Sequence, residues 1–324
     1  MANRFSLLRL PFVALQEALA IMRPFEIINL SKTSSRFNRF LSQLSGLGKY
    51  AIRLRIGDEP NIMIIGTELL YKYKMTFNED DNEAEKCYHE YGENYEELSV
   101  YSEDPFRLQR EYCEYLKNVL KISRFEIRYC FEKHPERNQE IIDWMSTQFP
   151  YVSECCCFGH GVRHKDLSYF FQKMKGIGKL HTEVITNELL PYKIPQALKR
   201  LAIQRGKWIK WEEFMEFNSV EMALWDTSLT NQDINRFLKM WINLECNQSL
   251  KNIFMSVKGE EDFLPILKGV EYQEMDPPRK LKLGPYNTMI NPGVEIKRSD
   301  GTILVVFLVQ KGRWLHVEMR VFDN

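Results

Sequence analysis

The 324-residue chain has no net charge, because 44 Lys and Arg balance 44 Asp and Glu. That balance removes any composition-based argument for a nucleic-acid or membrane partner. Long apolar runs are also missing: the longest, residues 303–309, has seven residues, against roughly 20 for a membrane-spanning helix. No membrane association is expected. Arg9, Pro11, Gln16 and Glu17 interrupt the apolar N-terminal stretch before it reaches the length of a signal-peptide core. The seven cysteines lack a spaced disulfide framework: Cys155, Cys156 and Cys157 are consecutive, and Cys87, Cys113, Cys130 and Cys246 are scattered. A reducing compartment permits such a set, so an intracellular protein, cytoplasmic and/or nuclear, is expected. No Gly-x-Ser-x-Gly elbow, His-Glu-x-x-His pair or kinase signature occurs. The carboxylates are plentiful but unpatterned. No catalytic residue, cofactor or metal is assigned, and the chain is not expected to be an enzyme.

Two local motifs invite chemistry and fail on spacing. Cys157, His160 and His164 lie within eight residues, but consecutive residues of a strand alternate faces, so at most Cys155 and Cys157 point together. A buried strand is expected there. Gly176 and Gly178 form a lone Gly-x-Gly-Lys without the further glycines and the Ser or Thr of a phosphate loop. A turn is expected.

What the chain does have is an ordinary folding composition, 44% hydrophobic and 27% charged, and a length that suits a small unit plus a larger body. Residues 1–45 read as three short helices. Pro11 suits a first helical position, and Leu15, Ala18, Leu19 and Met22 follow at helical spacing. Pro24 starts a second helix carrying Ile27, Ile28 and Leu30. Ser31 and Thr33 offer cap oxygens to a third, whose apolar face is Phe37, Phe40, Leu41 and Leu44. Some 35 helical residues cannot bury enough surface to stand alone, so the apolar face left over is expected to dock another protein.

Residues 46–104 read as a small β-meander followed by an acidic insert. In residues 78–104, 11 Asp and Glu face one basic residue, Lys86, and without a sustained apolar period a mobile loop is expected. From residue 105 onward strand and helix patterns alternate. Strands begin near Phe125, Val152, Leu180, Leu198, Val220 and Leu250, spacings expected of an irregular leucine-rich-repeat-like α/β solenoid. Its clearest helix follows Thr230, with Asp233 in a capping-box position and Ile234, Phe237, Leu238, Trp241 and Ile242 on the inner face. The C-terminus reads as an antiparallel meander with turns at Asp300-Gly301 and Lys311-Gly312, its last strand packing one face and exposing the other. Such a meander would cover the final edge of the repeat. The expected fold class is α+β: a small three-helix module, then this body at residues 105–324.

Residues 163–210 hold 11 Lys and Arg against three acidic residues. The bland reading is a solvated surface. The functional one is a positive patch for an acidic or phosphorylated target segment or for nucleic acid, with Lys207, Trp208, Lys210 and Trp211 as candidate target-binding residues.

Leu10-Pro11, the apolar Leu15 and Leu19, Pro-Phe-Glu-Ile-Ile at 24–28, and Ser31 through Arg36-Phe37 together resemble an F-box. The remainder is similar to the F-box-associated domain of the second type, from the large nematode F-box expansion, at about residues 180–260. "KWIKWEEF", "LTNQDINRFLKMWI", Leu250 through Ile253, "GVEIKRSDGT" and "VEMRVF" carry this likeness. Ala18 and Phe37 depart from the F-box pattern, where many members carry a larger aliphatic residue and Trp.

The resemblance implies a substrate receptor of an SCF-type ubiquitin ligase. The helical module would hold a Skp-family adaptor through Leu10, Pro11, Leu15, Leu19, Ile27, Ile28 and Phe37, and through it, indirectly, a cullin and a RING subunit. The body would present a target's lysines to the conjugating enzyme, so that proximity is its contribution to catalysis. The alternative is a charged-surface protein-binding or nucleic-acid-binding module with no ubiquitin-ligase role.

Overall fold

The computed structural model describes residues 9–43, 50–66, 69–81, 85–90, 93–186, 193–195, 198–256, 264–275, 280–283, 286–289, 293–311 and 314–322. Two compact units divide it, Met1–Lys133 and His134–Asn324. The first runs across both of the divisions expected from sequence, at 45 and at 104.

In the first unit, α1 (Phe12–Ile21), α2 (Pro24–Thr33) and α3 (Ser35–Gln43) precede the strands β1 (Ala51–Ile56), β2 (Asn61–Ile65), β3 (Leu70–Thr76), β4 (Glu85–Glu90) and β5 (Glu93–Tyr101). Helix α4 (Pro105–Val119) and strand β6 (Arg124–Cys130) complete it. Pro11 takes the N-cap of α1, one position before the expected one, and its carbonyl accepts from the N–H of Leu15 at 3.0 Å. Pro24 opens α2, where its missing N–H costs nothing. Ser31 and Thr33 do not cap α3 as expected. They lie inside α2, and their hydroxyls donate back to the carbonyls of Ile28 and Leu30. The hydroxyl of Ser34 takes the capping role, accepting from the N–H of Phe37. Leu44, expected on the α3 face, lies outside the described residues.

Strands β1, β2 and β3 form the antiparallel meander, β6 pairs parallel to β1, and the sheet of this unit runs β6-β1-β2-β3-β5-β4. The expected mobile acidic loop is overturned at residues 85–90 and 93–101. These are strands β4 and β5, antiparallel to each other, with β5 parallel to β3 from Leu70↔Tyr95 to Thr76↔Tyr101. The buried positions of β5 are Tyr95, Glu97 and Ser99. Polar residues on that alternating set hide the apolar period. Glu97 is held there by Lys72, Nζ to Oε2 2.6 Å, and the same ammonium lies 5.2 Å from the Tyr95 ring. The acidic stretch ends by capping α4, where Asp104 accepts from the N–H of Arg107.

The second unit alternates helix and strand: α5 (Asn138–Gln148), β7 (Val152–Val162), α6 (His164–Lys173), β8 (Ile177–Thr186), β9 (Arg200–Ile203), α7 (Trp211–Glu216), β10 (Glu221–Leu224), α8 (Asn231–Ile242) and β11 (Asn252–Ser256). Strands β7 to β11 pair in parallel in chain order. Helix α8 matches its pattern: Thr230 and Asp233 make the reciprocal cap at 3.2 and 2.9 Å, and Ile234, Phe237, Leu238 and Trp241 are buried. Gly176, expected in a turn, leads into β8, where a Cβ would lie 2.0 Å from the carbonyl oxygen of Pro150. Close backbone approach explains that glycine.

After α9 (Leu264–Leu267) come β12 (Gln273–Glu274), the β13 (Lys280–Leu283) and β14 (Tyr286–Met289) hairpin, then β15 (Val294–Lys297), β16 (Ile303–Lys311) and β17 (Trp314–Phe322). The last three form an antiparallel meander, with Gly301 left-handed at φ 92° in the expected turn. The second expected turn, at Gly312, lies outside the described residues. β17 runs antiparallel along β11 and covers the edge of the parallel ladder. That position corrects the expected half-exposed last strand. Flanked by β11 and β16, β17 buries His316 and Glu318 as well as Val317 and Met319.

Candidate functional site

Helix α1 carries polar side chains only at Gln16 and Glu17. A helix apolar nearly all round is normally enclosed, yet only Leu15 and Leu19 are buried, while Phe12, Val13 and Ile21 are 59%, 68% and 86% exposed. Val13, Glu17, Ala20 and Ile21 share the outward arc, so the apolar face carries one carboxylate at its centre. Phe12 meets Phe40 edge-on at 6.2 Å. Of the seven residues named for adaptor binding, Pro11 is exposed and Leu10 half-buried, whereas Leu15, Leu19, Ile27, Ile28 and Phe37 are interior.

Side chains at the start of and along α2 tie the helical module to the strands and to α4. Phe25 packs on Tyr71 and Tyr73 of β3 at 5.0 and 4.8 Å, and the Ser31 hydroxyl hydrogen-bonds the phenol of Tyr115 on α4. Burial pushes the Tyr71 and Tyr73 phenols up from their ordinary values. Arg23, just before α2, donates its backbone N–H to Glu26 at 2.8 Å and its guanidinium to Glu26 and to Glu96 of β5. The Glu26 hydrogen bond, and then the charge of Glu96, hold Arg23 above its usual value, and the Arg23 N–H holds Glu26 below the usual carboxylate range. The helices are therefore bound to the sheet beneath them, with the outer arc of α1 left over.

A second site lies at the C-terminal ends of the parallel strands in the second unit. A cavity of about 640 Å³ is lined by Gln204, Arg205 and Lys207 after β9, Trp225 and Asp226 after β10, Ser256 at the end of β11, and His316 of β17. A neighbouring recess of about 350 Å³ adds Val184 and Trp208 and shares Arg205, Lys207 and Asp226. Of the four residues named for target binding, Lys207 lines both recesses and Trp208 the smaller one. Trp208 is otherwise interior, edge-on to Phe217. Lys210 and Trp211 sit at the start of α7, where the Lys210 N–H is capped by Glu213 and Trp211 lies under the Arg236 guanidinium at 4.4 Å. The structure does not bring all four to one point. Sequence reasoning missed Arg205, Trp225, Asp226, Ser256 and His316, which come from four strands far apart in the sequence. The available signal was position, since ligand crevices in open parallel sheets lie beyond the carboxyl ends of strands.

The basic stretch is partly neutralised. Arg163 pairs with Asp166 and Glu136, Lys173 with Asp143, and Arg200 with Glu221. The cysteine run lies on β7, Cys155 and Cys157 buried with Sγ atoms 3.8 Å apart and Cys156 on the other face. Burial pushes the Cys157 thiol up, away from the thiolate a metal needs. Among the described residues no group of three or more His, Cys, Asp or Glu is placed to hold a metal ion, and no helix is long and apolar enough to cross a membrane.

The exposed helical face has a counterpart among known families: a model for the F-box domain matches residues 7–46, the stretch that folds into α1, α2 and α3. The chain carries an F-box. A second model, described as F-box associated, matches residues 190–255, which hold β9, α7, β10 and α8 and reach into β11. An F-box joined to an F-box associated domain indicates, in general terms, a substrate-adaptor role in an SCF-type ubiquitin ligase. The F-box contributes the exposed arc of α1, and the associated domain contributes Arg205, Lys207, Trp225 and Asp226 to the cavity. No curated protein and no solved structure matches the chain.

Proposed function

We propose that this protein is a non-catalytic substrate receptor of an SCF-type ubiquitin ligase, whose F-box docks a Skp-family adaptor while the body from β7 onward binds a target protein for ubiquitination. The observation that carries the reading is the outer arc of α1 on a matched F-box, with Val13 and Ile21 turned to solvent on a helix that is apolar nearly all round. In this reading Leu10, Pro11, Phe12, Val13 and Ile21 touch the adaptor. Leu15, Leu19, Ile27, Ile28 and Phe37 shape the face from behind. Cullin and RING subunits join through the adaptor. The parallel order of β7 to β11, with a helix in most of the connections, supports an irregular leucine-rich-repeat-like body as the target-binding element.

Co-purification of the full chain with a Skp-family adaptor and a cullin tests this. Wild type is expected to capture both, and a Val13→Asp, Ile21→Asp double variant to lose them, because each new carboxylate must be desolvated in the interface. Phe77→Asp, at another exposed apolar residue, is expected to leave capture intact. No capture by wild type would overturn the receptor role.

A further inference from the structure

The two recesses at the ends of β8, β9, β10 and β11 share Arg205, Lys207 and Asp226, so they form one trough with a charged middle and two less polar ends. Its backbone is under tension. Arg205 (φ 58°) and Asp226 (φ 55°) both occupy the left-handed region, each at the second position after the end of its strand, β9 and β10. Non-glycine residues are uncommon there and persist where surrounding structure holds them, often at ligand sites. Cross-bonds between the strand-end loops supply that hold. The Gly206 N–H donates to the Trp225 carbonyl at 2.9 Å, the Asp226 N–H to the Ser256 hydroxyl at 3.1 Å, and the Ser228 hydroxyl to the Lys207 carbonyl at 2.6 Å. The trough is built in advance of any ligand, which lowers the ordering cost of binding.

We propose that this trough binds an extended target segment bearing one carboxylate side chain, with an apolar side chain two residues away. The proposal rests on reading the body as target-binding, and it names the chemistry that the body selects. Arg205 is exposed, and its guanidinium has no partner among the described residues. Lys207 is exposed and only loosely tied to Asp226, at 4.0 Å. With Asp226 ionised the trio carries one net positive charge, which a single carboxylate neutralises. A phosphate, near −2 at neutral pH, would leave an excess and meet Asp226 as a like charge. In an extended peptide, alternate side chains point the same way about 6–7 Å apart, a reach suited to one side chain at the charged middle and one in a recess. Trp225 and the imidazole of His316, both packed on Phe254 at 5.5 and 4.5 Å, form the wall of the larger recess. Trp208 and Val184 form that of the smaller one.

The test uses the full chain, alone and with a Skp-family adaptor, and fluorescence anisotropy with three labelled peptide pools. The pools are randomised except for a fixed Leu two residues from a fixed Glu, Gln or phosphoserine. The Glu pool is expected to bind about tenfold tighter than the Gln pool, one charge-assisted contact's worth. Arg205→Gln and Lys207→Gln should each reduce that preference, and Asp226→Asn should turn it toward phosphoserine. Asn tolerates the left-handed backbone at that position, and an unchanged urea unfolding midpoint confirms that the variants fold. Equal binding of the Glu and Gln pools, no binding of any pool, a wild-type preference for phosphoserine, or a preference indifferent to Arg205 and Lys207 would each overturn the proposal. Peptide selectivity in a chain that captures no adaptor would leave the trough standing and remove the receptor role. Capture without selectivity would do the reverse.

Discussion

At Arg23 and Glu26 the start of α2 depends on one N–H donated to an exposed carboxylate. The folded value of Glu26 is lowered, so its contribution to stability is complete above the ordinary carboxylate value of 4.5 and fades as the pH falls through the lowered folded value. Titration of the Glu26 carboxyl by NMR should return a midpoint below that of the same residue in an unfolded peptide, and Arg23→Ala should move it upward only as far as the guanidinium contributes. A midpoint at the unfolded value would show that the cap carries no stability. Single residues also divide the F-box. Ile27, named for docking from the sequence, is enclosed, whereas Ile21, off the expected stripe of α1, is 86% exposed. Helical spacing locates an apolar stripe and does not say whether the stripe meets its own sheet or another molecule.

Among the elements, β5 departs furthest from what its composition suggests. A segment dense in Glu and Tyr forms a strand because β3 offers a parallel partner and because Lys72 lies opposite Glu97 in register. The pair is largely buried, 15% and 5% exposed. Removing one partner of such a pair leaves a buried charge, whereas replacing both with apolar groups does not. Glu97→Ala is therefore expected to lower stability by about 1–3 kcal/mol, and Lys72→Met with Glu97→Leu to cost less than that single change, measured by urea unfolding of the full chain. A double variant less stable than the single would mean that the ion pair itself holds β5 to β3. Helix α8 is the contrasting element. Its cap and all of its stripe but the half-buried Ile242 were legible, because every signal lies within a dozen neighbouring residues.

On the scale of the whole molecule the two proposed surfaces belong to different compact units, the α1 arc to Met1–Lys133 and the trough to His134–Asn324. Substitutions without shared partners add. Val13→Asp with Ile21→Asp should abolish adaptor capture and leave the Glu-pool affinity within about twofold. Arg205→Gln should do the opposite, and the combined variant should show both losses and nothing more. Coupling larger than this would show that the adaptor alters the target site.

The strand starts near Phe125, Val152, Leu180, Leu198, Val220 and Leu250, the α8 stripe, and the prolines Pro11 before α1 and Pro24 at the start of α2 were decided by the sequence alone. Each rests on the steric preferences and apolar period of a short local run. Tertiary structure decided what the interior positions are for. It enclosed Ile27, Ile28 and Phe37 instead of presenting them, drew an acidic insert into a sheet, and buried both faces of β17 by placing it between two strands. It also assembled Arg205, Trp225, Asp226, Ser256 and His316 from strand ends up to about a hundred residues apart. Such convergence depends on the order and register of a whole parallel ladder, which no local period encodes.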